Sequence, residues 1–227
     1  MVLKRLIFFA FLLLLVPKES NSQSSSSNPD IAQLLMTKVV EGYKNENTAR
    51  SKFGFTRTEV IEYYDSAWRL KSTRVETKVV STGQKEPGNL NIDIAGILVD
   101  KSQFYIDDQS STKVISGINC IAIGFKPKPN LQTKTTSDQI LSKVEGVIYI
   151  NLDDFSMVRA EASAQKQFGF THWFYILPIW INVSRLEMEI EFTRLEDITV
   201  RKSVTATVDA TGYSKQKHTF TYNNYRQ

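Results

Sequence analysis

The sequence predicts a mainly β domain, its strands curved into a barrel or a strongly bent sheet, with two helices beside them. From Phe53 onward, short segments rich in Thr, Val and aromatic residues recur, and these residues favour pleated surfaces. Between Val183 and Arg194 the side chains alternate. Leu186, Met188, Ile190 and Phe192 point one way, while Arg185, Glu187, Glu189 and Glu191 point the other. That period defines a sheet with one dry face and one wet face. Many short strands with few helical segments complete the pattern.

The first element is not part of the fold. Lys4 and Arg5 precede an uninterrupted apolar stretch from Leu6 to Val16, and Ser20 and Ser22 offer small residues for cleavage. This is the pattern of a secretory signal peptide over residues 1–22. The 11 apolar residues fall short of the roughly 17–25 that a membrane-spanning helix needs. No Cys stands at the cleavage point to take an acyl anchor, so a periplasmic protein released without a lipid anchor is expected. Removing residues 1–22 takes away Lys4, Arg5, Lys18 and Glu19, leaving 25 basic and 23 acidic residues. So small an imbalance, without a basic stripe, gives no footprint for nucleic acid.

Residues 23–30 (QSSSSNPD) read as a polar, disordered tether before a single domain over 31–227. Asn28 or Asp30 is placed to cap a helix. Ile31, Leu34, Leu35, Val39 and Gly42 then recur at helical spacing through roughly residue 47. Strands follow over 53–64, 68–81, 116–125, 146–152 and 155–163, with Asp153-Asp154 as a hairpin turn. A short helix is expected over 138–143, inside the β region. The last strands are expected over 198–208 and 213–225, around Gly212.

The run FGFTHWFYILPIWINVS, residues 168–184, carries no acidic or basic side chain apart from His172. It contains Pro178 and leads directly into the alternating strand. Two strands with a bend at Pro178 therefore fit it better than a spanning helix. Phe168, Phe170, Trp173, Phe174, Tyr175, Ile176 and Trp180 exceed what one face of a strand pair normally buries. They are the candidate contacts for an apolar ligand.

Catalytic chemistry finds little support. His172 and His218 lie at no metal-ligand spacing, and His218 is expected to be exposed on the last strand. Gly-rich phosphate loops, nucleophile elbows and HExxH motifs are missing. The lone Cys120, flanked by apolar residues, reads as a buried core residue. The expectation is a non-enzyme without metal or cofactor. Lys126-Pro127-Lys128-Pro129, with Lys134 beyond, reads either as a stiff solvated linker or as a basic rim for anionic headgroups.

The segment GFKPKPNLQTKTTSDQILSKVEGVIYINLDDFSMVRAEA, residues 124–162, resembles bacterial envelope proteins related to the lipoprotein carriers LolA and LolB. The likeness rests on a Pro/Lys-rich loop, a short helix, and a hairpin carrying Gly146, Ile148, Tyr149, Ile150, Asp154 and Phe155. Tyr222, Asn224 and Tyr225 in the closing strand add to it. The resemblance implies a half-open antiparallel β-barrel with an apolar concave face, covered by an N-terminal helix and a short helix. It implies a soluble periplasmic carrier that shelters the acyl chains of lipoproteins or lipids, and membrane-bound donor or acceptor proteins as partners. Leu34, Leu35 and Val39 are the candidate lid residues, and a monomer is expected. The alternative is an envelope sensor or scaffold that docks a protein partner on the curved sheet.

Overall fold

The computed structural model describes residues 29–84, 94–106, 112–133, 135–164, 166–174, 177–212 and 214–227. Residues 1–22, expected to be a signal peptide, residues 23–28 of the expected tether, Lys134, Tyr175 and Ile176 lie outside the described residues, as do the side chains of residues 29–30, 94–97, 137, 171–174 and 177–179.

Helix α1 (Pro29–Asn45) starts with proline, whose fixed φ and missing N–H suit a first helical turn. A one-turn helix α2 (Asn47–Arg50) follows. The hairpin β1 (Gly54–Tyr64) and β2 (Leu70–Val80) comes next. Its connection is tied by the Asp65 carboxylate, which accepts hydrogen bonds from the backbone N–H groups of Ala67 and Arg69. Helix α3 (Ile94–Lys101) runs into β3 (Ser102–Ile106), and both elements escaped the sequence reading, as did β4 (Thr112–Ile115). Then come β5 (Ile118–Pro127), α4 (Thr136–Leu141), β6 (Val144–Asn151) and β7 (Met157–Ala164). The chain ends with β8 (Phe168–Phe174), β9 (Leu177–Leu195), β10 (Ile198–Ala210) and β11 (Lys215–Arg226).

All the strands join one antiparallel sheet in the order β2-β1-β11-β10-β9-β7-β6-β5-β3, with β4 on β5 and β8 on β9. The two ends of this order do not pair, so the barrel stays half-open. The expected fold class is the one observed. Strand β9 is 19 residues long because it serves two structures. Its first part pairs with β8 as a hairpin, and its second part lies between β7 and β10.

The greasy run is therefore a strand pair, but the expected bend at Pro178 is not its reversal point. Phe174 faces Leu177 and Trp173 faces Pro178, so the chain turns before Pro178, which sits within β9. Proline is tolerated there because β10 does not reach that part of β9; its pairing stops at Val183.

The residues of the sequence motif have structural work to do. Gly146 faces Phe125 across the β5–β6 ladder. A Cβ at Gly146 would stand 1.9 Å from the Glu161 carbonyl oxygen and 2.8 Å from the Phe125 ring. Ile148 and Ile150 enter the main core, whereas Tyr149 packs with Cys120 and Val158 on the opposite face. Asp154 closes the β6–β7 turn by accepting from the backbone N–H of Ser156 at 2.9 Å and its hydroxyl at 2.6 Å. Asn224 takes a positive φ of 52° at a bulge opposite Gly54, and Tyr225 donates to the Arg201 carbonyl at 2.6 Å.

Candidate functional site

The concave face can be followed strand by strand through its register. Ile106, Ile123, Ile148, Ala160, Ile190, Val204 and Phe220 are successive cross-strand partners. The same row then changes character at Glu59 and Glu76. The neighbouring row runs Phe104, Phe125, Gly146, Ala162, Met188, Ala206, His218, Ile61 and Arg74. The trough is thus apolar from β3 to β10 and acquires ionisable groups at the β11–β1–β2 margin.

His218 belongs to that margin and is 3% exposed, which corrects the expectation that it faces solvent. The alternation of the last strand sends Lys217, Thr219 and Thr221 to the other face. Burial of the imidazole is tolerable because both ring nitrogens have partners. Nδ1 lies 3.3 Å from Glu59 Oε1, and Nε2 lies 3.0 Å from Gln216 Oε1. Burial alone would raise the Glu59 carboxyl. The hydrogen bond and charge of His218, with Arg57 and Lys78 nearby, outweigh it and hold that carboxyl below the ordinary range.

Helix α1 covers the apolar part. Ala32, Met36, Val39 and Val40 are buried against Phe104, Ile123, Phe125, Ile148, Ile150 and Met157, and Leu35 and Tyr43 pack at the edge of this cluster. Full burial of side chains this size contributes roughly 1.5–3 kcal/mol each for the larger ones. The seated stripe is 32-36-39-40-43, one position out of phase with the stripe expected from sequence. Of the candidate lid residues, Val39 is buried, Leu35 is half-buried and Leu34 is 56% exposed, next to Ile31 at 54%. The helix has apolar residues on two faces, and leucine weighed more than alanine and methionine in choosing between them.

The polar attachment of α1 lies at its C-terminal end, at Glu46. One carboxylate oxygen accepts from the Thr199 backbone N–H at 2.8 Å and from Arg50 Nη1 at 3.2 Å, and the other from Arg194 Nη1 at 3.1 Å. The Arg50 guanidinium also sits 3.7 Å over the Tyr43 ring and donates to the Tyr43 carbonyl. Tyr43 in turn meets Phe192 edge-on at 6.1 Å. Helix α1 thus has a charged attachment (the clamp) beyond its C-terminal end and an apolar seat along its length.

Beside the clamp a cavity of about 380 Å³ opens at the mouth of the trough, lined by Tyr43, Phe53, Phe55, Tyr222, Tyr225 and Arg201 among others. It falls within the range of small-ligand sites, roughly 300–1,000 Å³. A groove of about 530 Å³ on the outer face is different in kind. Glu145, Glu161, Glu187 and Glu189 line it, and Arg159 bridges Glu161 and Glu189 at 2.9 and 2.7 Å.

The other end of the trough carries the predicted aromatics. Phe168 and Phe170 are buried with Ile181, Val183 and Ala210, against Ile140 of α4. Trp180 lies on the opposite face of the hairpin, 60% exposed, with its ring across Gly169 and its indole N–H donating to Asn182 at 2.8 Å. Trp173 and Phe174 are placed by backbone only. Helix α4 is fixed by a capping box between Thr135 and Asp138, and Lys101 Nζ reaches Asp138 at 3.1 Å. In the basic loop, Lys128 donates to the Asp100 carbonyl at 2.8 Å at the end of α3, and Lys126 lies 5.7 Å over the Tyr105 ring.

Among the described residues no group of three or more His, Cys, Asp or Glu side chains is arranged to hold a metal, and no helix is long and apolar enough to cross a membrane. Cys120 is fully buried, and burial pushes its thiol pKa up.

No protein-family profile matches the chain, and no curated protein does either. Among solved structures, it is similar to a DUF1329 family protein from Desulfovibrio piger, at 8% identity over 88% of this chain and 93% of that one, with a TM-score of 0.41. It is also similar to a domain assigned to outer membrane lipoprotein sorting from Vibrio parahaemolyticus, at 10% identity over 84% and 92%, TM-score 0.41. A LolA superfamily protein from Nitrosomonas europaea aligns at 8% identity over 86% and 92%, TM-score 0.40. The likeness is one of overall fold at low identity, and the open antiparallel sheet is seen in the structure itself.

Proposed function

We propose that this chain is a periplasmic binding or carrier protein that shelters lipidated or other hydrophobic cargo on its concave face, beneath α1. One observation carries the reading. The apolar underside of α1 rests on a continuous apolar surface, while its polar attachment is gathered at Glu46. An acyl chain exposed to water costs about 0.8 kcal/mol per CH₂. A ligand that replaces Met36, Val39 and Val40 on the sheet recovers that cost without breaking the clamp. The hairpin aromatics Phe168 and Phe170 prolong the same apolar face. Phe174, Tyr175 and Ile176 are proposed to reach cargo that extends past α4, whereas Trp180, on the opposite face of the hairpin, stands outside this surface. No step of this function requires bond-making chemistry.

The competing reading is a sensor or scaffold that docks a protein on its curved sheet. Its support is the completeness with which α1 fills the trough. Native mass spectrometry of protein purified from a bacterial periplasm, followed by hydrogen exchange with added palmitoylated peptide, separates the two. The carrier reading expects a bound acyl species and faster exchange in α1 when it binds. A clean mass, with α1 exchange indifferent to the peptide, would favour the scaffold.

A further inference from the structure

Strand β2 ends the sheet, and among the described residues nothing pairs with its outer edge. The other terminal strand, β3, is covered by α1 and α3. Bare edges are normally kept short, bulged or broken by proline, because they present a row of unpaired backbone donors and acceptors. This one runs 11 residues without proline, its irregularity lying near the start at Lys71, and Leu70, Val75 and Val79 stand exposed on it, Val75 at 61%.

The sequence of the edge, LKSTRVETKVV, is self-complementary about Val75. With two copies antiparallel and Val75 opposite its twin, Thr73 meets Thr77, Arg74 meets Glu76, and Ser72 meets Lys78, so the regular part of the strand is paired, short of the irregularity at Lys71. Arg74 and Glu76 project from the same face, toward Ile61 and Glu59 of β1, and already contact each other along the strand. Antiparallel partners share a face, so each would find the opposite charge across the two-fold axis as well. Shifting the register by one step either way, which the alternation of the ladder restricts to two residues, sets Arg74 against Arg74 or Glu76 against Glu76. Those registers place like charges opposite one another, which is destabilising. One register is therefore singled out.

We infer that β2 is a homodimerisation edge, joining two copies through Val75 into one continuous sheet with isologous two-fold symmetry. This departs from the monomer expected from sequence; the two-fold axis falls at Val75, while the Val80 end of the strand leads toward Gly83, which bonds to Ser51 beside the clamp. Such a ladder over residues 72–78 supplies about six backbone hydrogen bonds. The two Arg74–Glu76 pairs supply the choice of partner.

Sedimentation velocity of the purified protein, up to about 100 µM, tests this. The unmodified protein is expected to show a monomer–dimer equilibrium. Each of Arg74→Glu and Glu76→Arg alone puts like charges opposite one another twice and raises the dimer dissociation constant about tenfold or more. The double swap restores it. An equimolar mixture of the two single variants forms a heterodimer by native mass spectrometry, because all of its pairs are complementary. Both substitutions lie on an exposed edge, and far-UV circular dichroism checks that the fold survives. A protein monomeric throughout the range overturns the inference, and so does a dimer indifferent to the swaps.

Discussion

The Glu46 carboxylate accepts a 2.8 Å hydrogen bond from the backbone N–H of Thr199, a residue 153 positions away, and so ties the end of α1 to the start of β10. Arg50 and Arg194 flank the same carboxylate.

Replacing Glu46 with Ala leaves the Thr199 N–H without its acceptor and removes the shared anion between two guanidinium groups. The expected loss is about 1–3 kcal/mol in urea unfolding. Hydrogen exchange should rise at the C-terminal turns of α1 while the sheet stays protected. Unchanged exchange there would show that the apolar seat alone holds the helix.

A methyl group at Gly146 has no room. Gly146→Ala drives Cβ toward the Glu161 carbonyl and the Phe125 ring, and is expected to cost about 1–3 kcal/mol. Phe125→Leu in the same background should recover part of the loss, read as a urea midpoint. No recovery would assign the cost to the β6–β7 backbone alone.

Cys120 is protonated at neutral pH because burial raises its thiol. A chromogenic disulfide reagent is expected to label it only at the rate of opening, reaching completion in denaturant. Rapid labelling of the native protein would contradict its place in the Tyr149–Val158 cluster.

Asp138 and Glu59 both contribute to the acid limb of stability. Burial acts to raise Asp138, but hydrogen bonds from Lys101 and Thr135 outweigh it; Glu59 is held low in the same sense by His218. A depressed folded pKa means the unfolded chain binds protons first as pH falls. The stabilisation is complete above the ordinary carboxylate value, about 4, and is lost as pH drops through the lowered folded values. Lys101→Met and His218→Gln remove the lowering partners and leave the burial. Each variant should be less stable than the unmodified protein at neutral pH. The difference should shrink as pH falls through the carboxylate range, because the stabilisation lost on acidification is already missing. Superimposable pH profiles would exclude these assignments.

Strand order could be anticipated where side chains alternate cleanly or a turn is chemically marked. Leu186 to Phe192 announced β9, and Asp153-Asp154 announced the β6–β7 reversal. What the sequence hid was phase and partnership. Alanine and methionine seat α1, yet Ala32 carries little hydrophobic weight beside Leu34 and Ile31. His218 looks polar in the chain but is buried by its place in the register, next to Glu59 and Gln216. The clamp was invisible because Glu46, Arg194 and Thr199 meet only after the sheet has formed. Strands β3 and β4 gave no signal because each is short, five and four residues, and borrows its order from β5.

The pairing of β1 with β11 has a consequence for how the molecule is made. Gly54 finds its partner at Arg226, so the first hairpin of the sheet waits for the last strand to be synthesised. Until then β1 and β2 form a two-stranded ribbon, which is marginal in water by itself. A contact of this sequence separation is slow to form, since the loop must close before it is rewarded. The β1–β2 ribbon therefore stays unattached to the rest of the sheet until β11 has been made.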